Sequence, residues 1–558
     1  MRLRYWIAPL AALLLIAAGW LVVRSGIVFR PAPVELTILA LNDFHGHLQP
    51  PPGGIRVDDP SDKSKKINVP AGGAEHLATL VNERRKTKKH SIFVAAGDLI
   101  GASPFLSALF HDEPTIESLS IMGLEVASVG NHEFDEGAAE LTRMQKGGCH
   151  PTDGCMGPHP FLGAKFKYLA ASTIERATGK PFFPPYEVRE FDGIPVAFIG
   201  LTLKGTPLIV NPAGVADLEF RDEADTVNAL IPELKARGIA AIVVLIHEGG
   251  LPTGDYNECA GISGPIVDIV KKFDKAVDIV VSGHTHRAYV CNIDGRLVTS
   301  ADKYGTLVTE IDVTLDRKTG DVASAKAGNT IVKTELPKDP EQTKLIATYD
   351  VLAKPIAARP AGRIAEALSR DPNRAGESVL GDIVADAQLA ATAAEANGGA
   401  VIALTNPGGI RNSIAKNGDG TITYADVFAA QPFRNQLVTM TLTGAQLKQA
   451  LEQQFTAPNY PRILQVSRDF GFTFDATRPV GNRVPLETIM FRGAPIDPKA
   501  SYRVTVNDYL ANGGDSFSTF KDGADRRTGV YDVDALDAYF KANSPFVPHV
   551  PDRIQRVN

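Results

Sequence analysis

Residues 130–135 read Gly-Asn-His-Glu-Phe-Asp and follow an apolar, strand-like run at 125–129. They place an amide, an imidazole and two carboxylates in one tight turn. The side-chain oxygen of Asn131 can bind a metal, and His132 can protonate a leaving group if Asp135 orients its ring. A polar loop after a buried strand is usually structural, so this turn alone does not establish a site. Its weight comes from the other apolar runs that end in similar residues.

The apolar runs of the first 300 residues share one pattern. Runs rich in Val, Ile and Ala predict strands that are covered on both faces. In such sheets ligands bind beyond the carboxyl ends of the strands, and five of six runs end there in Asp, Asn or His. The predicted strands are 34–41, 91–96, 125–129, 194–201, 239–246 and 277–281. The candidate metal ligands that follow them are Asp43, His45, Asp98, Asn131, His247, His284 and His286.

The distribution of histidine also separates the two halves of the chain. Of 12 histidines, only His549 lies beyond residue 300. Oxygen and nitrogen ligands without thiolate suit Mn, Zn, Fe or Co. There are enough ligands for two divalent ions that share a carboxylate, and two ions about 3.5–4 Å apart can activate water and hold phosphoryl oxygens. The sequence therefore predicts, in its first part, a site for two divalent ions that is suited to phosphoryl chemistry.

Length and charge limit the remaining classes. A chain of 558 residues is too long for one core, so at least two domains are expected. The net charge of −6 and pI of about 6.1 give no basic surface for long nucleic acid. A single nucleotide needs only a local cationic pocket. We therefore expect a small-molecule substrate, and the oligomeric state stays open.

The N-terminal residues 1–30 are typical of an export signal or membrane anchor. Arg2 and Arg4 precede an apolar segment at 6–23. Its length is near the lower limit for a membrane span, about 17–25 residues, and it lacks a clear cleavage site. We favour a retained anchor, with a cleaved signal as the alternative. Either case places the rest of the chain outside the cytoplasm, in the periplasm or secreted.

The 4 cysteines fit an oxidising compartment. Cys149 and Cys155 bracket a short loop, and Cys259 and Cys291 flank one later segment. Proximity predicts these two pairs, although four cysteines allow three connectivities. A zinc site is the rival interpretation, and the irregular spacing disfavours it.

A helical pattern near residue 350 divides the chain. Asp339 and Pro340 resemble a helix start, and we expect Pro355 and Pro360 to end the helix. The polar segment 323–335 before it is expected to form the rim of a hairpin. The predicted divisions are a catalytic domain at 31–336, a linker helix at 337–360 and a second domain at 361–558.

The second domain lacks metal ligands but carries loop residues suited to a nucleotide. Glycines at 406–411 let the backbone approach a ligand, and Arg411 offers a guanidinium. Phe433 and Tyr509 lie on loops marked by proline or glycine, where they can stack on a base. The alternative is a glycine turn with a surface arginine and two core aromatics.

Together these motifs resemble the calcineurin-like metallophosphoesterases, and the stretches at 42–47 and 130–135 resemble the 5′-nucleotidase/UDP-sugar hydrolase family. The resemblance covers nearly all of the chain after Glu35. It implies an α/β fold, a four-layered α-β-β-α metallophosphoesterase sandwich of two mixed sheets. A linker helix would join it to a smaller α+β nucleotide-binding domain that can rotate.

The resemblance also implies the site residues. One ion would be held by Asp43, His45, Asp98 and His286, and the other by Asp98, Asn131, His247 and His284. His132, oriented by Asp135, would be the catalytic histidine. The implied substrate contacts are stacking by Phe433 and Tyr509, base and ribose contacts from Asn435 and Asp515, phosphate contacts from Arg374 and Arg411, and Asn406 at the head of the glycine turn.

One departure from the family pattern is Ser467-Arg468, where Ser-Gly is common. We therefore expect a cation, Arg468, near the base pocket. Glu133, His47 and Glu248 receive no role, although Glu133 could support its turn.

The implied activity is release of phosphate from extracytoplasmic nucleotides with two divalent ions such as Mn, Zn or Co. A UDP-sugar diphosphatase and a 2′,3′-cyclic-nucleotide phosphodiesterase are alternatives on the same scaffold. A sulfur-ester hydrolase is disfavoured by the aromatics and arginines. A catalytically inactive surface-binding protein is disfavoured because every ligand position is filled.

Overall fold

The computed structural model describes residues 32–456 and 461–558. The export signal or anchor predicted at 1–30 lies outside these residues. Within the described ranges, no helix combines the length and the apolar character needed to cross a membrane.

The first domain alternates strands and helices. Its strands are β1 (Val34–Leu41), β2 (Ile55–Asp59), β3 (Asp62–Val69), β4 (Ser91–Ala96), β5 (Val126–Ser128), β6 (Lys167–Leu169), β7 (Thr173–Glu175), β8 (Tyr186–Phe191), β9 (Ile194–Leu201), β10 (Leu218–Phe220), β11 (Ala241–Ile246), β12 (Ile279–Ser282), β13 (Ala288–Ile293), β14 (Arg296–Ala301), β15 (Leu307–Leu315) and β16 (Val322–Ile331). Its helices are α1 (Ala74–Lys86), α2 (Phe105–Ala108), α3 (Glu113–Ile121), α4 (Gly137–Lys146), α5 (Glu223–Ala236) and α6 (Pro265–Lys272).

Two mixed sheets organise this domain. In the described chain each has six strands, in the orders β16-β15-β1-β4-β5-β6 and β13-β14-β12-β11-β9-β8. Strands β1, β4, β5 and β6 are parallel, with β15 and β16 antiparallel at one side. Strands β9, β11, β12 and β14 are parallel, with β8 and β13 antiparallel at the edges. The segment expected to be a hairpin rim is therefore mostly an edge strand, β16.

The sheets pack face to face, and helices cover their outer faces. Ile38 of the first sheet shares a buried cluster with Val243 of the second. Leu77 of α1 packs on the outer face of the first sheet, and Val227 of α5 and Ile266 of α6 pack on the second. Burial of both faces explains why the strands read as continuous apolar runs. The domain is the expected four-layered α-β-β-α sandwich.

The sheet topology places the candidate ligands at one edge. Strands β1, β4 and β5 are parallel neighbours, as are β11 and β12 in the other sheet. Parallel neighbours end on the same side, so the loops after these strands meet. These loops carry the Asp, Asn and His residues that the sequence analysis selected.

Helix α7 (Pro340–Ala357) connects the domains. Asp339 caps its first turn by accepting hydrogen bonds from the amides of Glu341 and Gln342. Pro355 does not end the helix, contrary to expectation; it lies within the last turn, where proline removes one backbone donor without breaking a long helix. The chain leaves the helix just before Pro360, which starts the next strand.

The second domain is smaller and of the α+β type. Its strands are β17 (Pro360–Arg363), β18 (Ile402–Thr405), β19 (Thr421–Thr423), β20 (Gln436–Thr443), β21 (Gln465–Val466), β22 (Phe470–Asp475), β23 (Met490–Phe491), β24 (Ala494–Pro495), β25 (Ser501–Asn507), β26 (Ala524–Tyr531) and β27 (Ile554–Val557). Its helices are α8 (Val379–Thr392), α9 (Tyr424–Ala430), α10 (Gly444–Gln453), α11 (Asp508–Ala511) and α12 (Asp532–Ala542). The main sheet has the order β21-β18-β25-β20-β26.

An apolar contact joins the domains. Phe105 of α2 packs edge-on against Phe428 and Tyr424 of α9, with ring centroids 5.2 and 5.7 Å apart. Leu345 and Tyr349 of the connecting helix belong to the same buried cluster. The contact holds the second domain over the strand ends that carry the candidate ligands.

Candidate active site between the two domains

A cavity of about 780 Å³ lies between the domains. Its first-domain wall includes Asp98, Asn131, His132, His284 and His286. Its second-domain wall carries Asn406, Arg411, Phe433, Asn435, Tyr509 and Asp515. The structure therefore brings most of the residues selected from the sequence to one place.

The candidate ligands form two adjoining groups. Ligand atoms of Asp43, His45 and His286 lie within 4.8 Å of one another, as do those of Asp98, His247 and His284. Asp98 also groups with His45, so it lies between the two sets. This is the position that a bridging carboxylate requires.

The hydrogen bonds of two histidines test whether a cation fits. Nδ1 of His247 lies 2.8 Å from the carbonyl oxygen of Ala96, and Nδ1 of His45 lies 2.8 Å from that of Gly101. A carbonyl only accepts, so Nδ1 of each ring carries a proton and Nε2 is the atom left to bind a metal ion. This second contact is typical of metal-binding histidine.

The Nε2 atoms lie against other candidate ligands, and that of His45 is 3.2 Å from Nε2 of His286. Nε2 of His247 is buried and lies 2.9 Å from Oδ2 of Asp98 without hydrogen-bond geometry. Within the described ranges, Oδ1 of Asn131 is also buried without a hydrogen-bond partner. Unpaired buried acceptors are costly unless a cation, a proton or a metal ion, lies between them. Burial lowers the pKa of His247, but the carboxylate of Asp98 raises it to about 10, so this contact attracts positive charge. The residues present thus fit divalent metal ions.

The backbone supports the same conclusion. The φ angles of Asp43, His45, Asp98, His284 and His286 are positive, between 47° and 72°. A non-glycine residue rarely adopts this conformation, and such residues cluster at functional sites. The loops after the strands turn sharply so that side chains from different strands converge.

Glu133 holds two of these loops together. Its Oε2 accepts hydrogen bonds from the amides of Asp98 and Gly130 at 2.9 and 2.6 Å, and its Oε1 accepts one from Leu99 at 2.7 Å. Burial and the nearby Asp98 raise the pKa of Glu133 to about 7. A Cβ at position 130 would overlap the carboxylate of Asp98, so only glycine fits there. The sequence analysis left Glu133 without a role, and the structure shows that it supports the turn.

His132 starts a short 3₁₀ helix, His132–Phe134, within this turn. Its Nδ1 lies 2.7 Å from Oδ2 of Asp135, and its amide donates to Oδ1 of Asp98 at 2.8 Å. Burial lowers the pKa of His132, whereas Asp135 and Asp98 raise it, and the net shift is upward. The ring is therefore oriented by Asp135 and inclined to carry a proton.

The second domain faces this histidine with an aromatic ring and a cation. The ring of Phe433 lies parallel to that of His132, with centroids 6.0 Å apart and an interplanar angle of 15°. The guanidinium carbon of Arg411 lies 5.8 Å from the centroid of Phe433. An anionic, aromatic ligand would meet both groups.

Asp515 is the centre of a second polar group. Asn406 donates to its Oδ2 at 3.2 Å, and Nε of Arg462 lies 3.3 Å from its Oδ1. Oη of Tyr509 accepts a hydrogen bond from its amide at 2.9 Å. Asn435 lies apart from this group and donates to Asp532 at 3.2 Å.

Two arginines differ from their expected places. Arg374 is exposed and is not among the residues that line the cavity, so its role as a phosphate contact stays a prediction. Arg468 is also exposed and is not among the residues of the cavity wall, and its amide donates to Oδ1 of Asp386 on α8 at 2.7 Å.

Other lining residues escaped the sequence analysis. Arg434 and Arg462 line the cavity, together with His111, His150 and Asp153. Arg434 is adjacent to Phe433, a local signal that could have been used. Arg462 has no local signal, since its relevance depends on its contact with the distant Asp515.

The disulfides pair as predicted. Cys149 is bonded to Cys155, and Cys259 to Cys291. The first closes a loop at the cavity rim, and the second ties the segment after β11 to β13.

Comparison with known proteins agrees with this architecture. The family model for calcineurin-like phosphoesterase matches residues 36–288, and that for the 5′-nucleotidase C-terminal domain matches residues 356–522. The chain is similar to the crystal structure of a 5′-nucleotidase precursor from Thermus thermophilus, with 28% sequence identity and a TM-score of 0.74. The match covers 94% of this chain and 99% of the Thermus chain.

Two curated relatives are longer than this chain. Endonuclease YhcR of Bacillus subtilis (strain 168) is 32% identical over 91% of this chain and 40% of its own length. Cell wall protein Lmo0130 of Listeria monocytogenes is 33% identical over 88% of this chain and 64% of its own length. The chain thus spans less than two thirds of these two relatives. From its two matched domains and their order, this chain belongs to the 5′-nucleotidase family, in which a calcineurin-like phosphoesterase domain precedes a 5′-nucleotidase C-terminal domain.

Proposed function

We propose that this chain is a metal-dependent hydrolase that releases phosphate from nucleoside 5′-monophosphates outside the cytoplasm. The observation that carries the proposal is the shared cavity, with candidate metal ligands on one wall and Arg411 and Phe433 on the other. A phosphate bound at the first wall keeps its nucleoside within reach of the second. Such positioning lowers the entropic part of the barrier.

The metal ligands are proposed as two sets. Asp43, His45 and His286 hold one ion, and Asn131, His247 and His284 hold the other, with Asp98 shared. Divalent ions such as Mn, Zn or Co supply Lewis-acid activation of water and neutralise phosphate charge when bound.

The chain's own residues complete the reaction. His132 donates a proton or hydrogen bond to the ester oxygen that leaves, and Asp135 keeps its ring in the required orientation. Arg411 binds the phosphate through its guanidinium, which forms strong charge-assisted hydrogen bonds with oxyanions. The upward shift in the pKa of His132 favours the donor form.

The second domain selects the nucleoside. Phe433 and Tyr509 stack on the base, and Asp515 accepts hydrogen bonds from the ribose hydroxyls. Asn406 orients Asp515 through its amide. Asn435 contacts the base once its side-chain amide releases the hydrogen bond that it donates to Asp532.

Location and organisation follow from the same reasoning. Two disulfides are typical of an oxidising compartment, and one relative is named a cell wall protein. We place the catalytic domain at 31–336, the linker at 337–360 and the substrate domain at 361–558.

A phosphodiester substrate is the second candidate. The observation that favours it is the relative named an endonuclease. Cyclic nucleotides, nucleotide sugars and short nucleic acids therefore belong in the test.

The deciding experiment measures product release from AMP, a 2′,3′-cyclic nucleotide, a UDP-sugar, an oligonucleotide and an aryl phosphate. The protein is stripped of metal and assayed with and without Mn or Co. Metal-dependent hydrolysis of AMP above the aryl ester supports the proposal. Faster cleavage of a diester replaces it with the second candidate, and bound metal with no hydrolysis of any substrate indicates a binding protein.

A further inference from the structure

The loop closed by Cys149 and Cys155 forms part of the cavity wall. His150, Thr152 and Asp153 of this loop line the cavity, although none belongs to the proposed metal or substrate site. A disulfide across so short a loop limits the conformations available to these side chains. The loop is therefore a defined surface that faces the second domain.

A hydrogen-bond chain connects this loop to the catalytic turn. Nδ1 of His111 lies 2.8 Å from Oε2 of Glu136, and its Nε2 lies 3.0 Å from Oδ2 of Asp153. Glu136 directly follows Asp135, the residue that orients His132. The ring of His150 stacks on His111, with centroids 3.8 Å apart and an angle of 9°.

The hydrogen bonds of this cluster disfavour a third metal ion. Nδ1 of His150 accepts the amide of Asp153 at 3.1 Å, so its Nε2 carries the proton and has no free lone pair. Both nitrogens of His111 face carboxylates, which suits an imidazolium. Glu140, the other nearby carboxylate, is bound to Arg143 through several hydrogen bonds, for example at 2.9 Å.

The chain continues into the second domain through Arg434. One of its terminal nitrogens lies 3.4 Å from Oδ2 of Asp153. Its guanidinium carbon also lies 5.1 Å from the ring centroid of Tyr531, so a cation–π contact holds the guanidinium in addition to the ion pair. Arg434 has a positive φ of 53° and is adjacent to Phe433, so an anchored Arg434 restricts where that ring can lie.

We propose that Asp153 and Arg434 are positioning residues that hold Phe433 opposite His132, so that the enzyme prefers phosphate esters carrying an aromatic base. The inference rests on the proposed function, because it needs Phe433 to stack on a substrate. The disulfide loop supplies one half of the contact, and the loop after α9 supplies the other. Neither residue touches the reacting phosphate.

The test is a double-mutant cycle with Asp153→Asn, Arg434→Gln and both changes together. A charge exchange, Asp153→Arg with Arg434→Asp, tests recovery. Arg221→Gln is the control, because Arg221 pairs with Glu219 on an exposed surface outside the cavity wall. Each variant is assayed for kcat and KM with AMP and with an aryl phosphate.

Each single change is expected to raise KM for AMP about two- to fivefold, as for a partly exposed ion pair. The double change should raise KM for AMP no more than either single change does. The rise in KM for the aryl phosphate should be smaller than the rise for AMP. The exchanged pair should recover at least half of the loss. Additive effects, or equal losses on both substrates, would overturn the inference.

A second measurement does not depend on activity. Fluorophores placed without cysteine chemistry at the exposed positions Lys318 and Lys499 report the interdomain distance by energy transfer. The single variants should broaden or lengthen that distance and the exchanged pair should restore it; an unchanged distance in all variants contradicts the positioning role. If AMP is not hydrolysed but the distance responds as expected, the proposed function fails while the contact between Asp153 and Arg434 stands.

Discussion

The ring of Phe433 lies parallel to the ring of His132, with centroids 6.0 Å apart. The two residues belong to different domains, so the relative placement of the domains determines this distance. A catalytic candidate and a base-stacking candidate thus face one volume, which is the arrangement that hydrolysis of a nucleotide requires.

Asp98→Asn is expected to remove most activity because both candidate metal groups use this carboxylate. The loss should be at least about 100-fold, since changes to residues that only support ligands already cost 10–100-fold. Metal content by elemental analysis should fall by at least one ion per chain, while circular dichroism stays unchanged. Asp316→Asn, at an exposed turn, is the matched control. Full metal content with normal turnover would exclude the bridging role.

Phe433→Ala should lower kcat/KM for AMP far more than kcat/KM for an aryl phosphate. Stacking of a base on an aromatic side chain contributes about 1–3 kcal/mol, which corresponds to roughly 5- to 100-fold in kcat/KM. Phe433→Tyr keeps the stacking face and should behave like the original chain. Steady-state kinetics on both substrates measure the effect. Equal losses on both would mean that Phe433 does not select the base.

Asp135→Asn should lower kcat without releasing metal. The carboxylate lies 2.7 Å from Nδ1 of His132 and raises its pKa, so its loss removes both orientation and charge. We expect a decrease of about 10- to 1000-fold. The alkaline limb of the pH profile should move to lower pH, because the His132 pKa falls. An unchanged limb would argue against His132 as the proton donor.

Asp382 predicts a dependence of stability on pH. It is buried in the second domain, with Oδ2 3.1 Å from Nε2 of His549. Burial raises the pKa of Asp382, the positive charge of Arg553 lowers it, and the nearby Glu377 raises it. Together these effects bring the pKa of Asp382 to about 8. An unfolded aspartate titrates near 4, so the native state holds a proton that the unfolded chain releases between these values. Stability therefore falls as pH rises from about 4 to about 8.

The test compares urea unfolding at pH 5 and pH 8.5. Asp382→Asn imitates the protonated acid, so it should lose less stability across this range than the original chain. Asp419→Asn is the control, because that carboxylate is exposed and its removal should leave the pH slope between these values unchanged. If Asp382→Asn loses as much stability between pH 5 and pH 8.5 as the original chain, Asp382 is ionised throughout this range.

Much of the first domain could be predicted because its signals are local. Strands β1, β4 and β9 have the bounds that the apolar runs predicted. Burial on both faces imposes a continuous apolar pattern, and the ligand residues follow at once. The start of α7, capped by Asp339, is likewise set by nearby residues.

Predictions failed where distant contacts decide the outcome. Pro355 was expected to end a helix, but the helix continues to Ala357. A proline in the last turn removes only one backbone hydrogen bond, and that loss does not end the helix. Arg374 and Arg468 were expected at the substrate pocket, but both are exposed and neither is among the residues that line the cavity. Arg462 became relevant only through Asp515, which lies far along the chain.

The amino-acid sequence alone determined the two-domain organisation, the main strands and the residue types that can bind metal, because these depend on local apolar patterns and on side-chain chemistry. Only the tertiary structure decided which residues meet. The pairing of β1 with β4 and of β11 with β12 brings ligands from separate loops together. The packing of Phe105 on Phe428 joins the two domains, and Phe433 of the second domain lies opposite His132 of the first. Such proximity depends on how sheets and domains pack, and no short stretch of sequence contains that information.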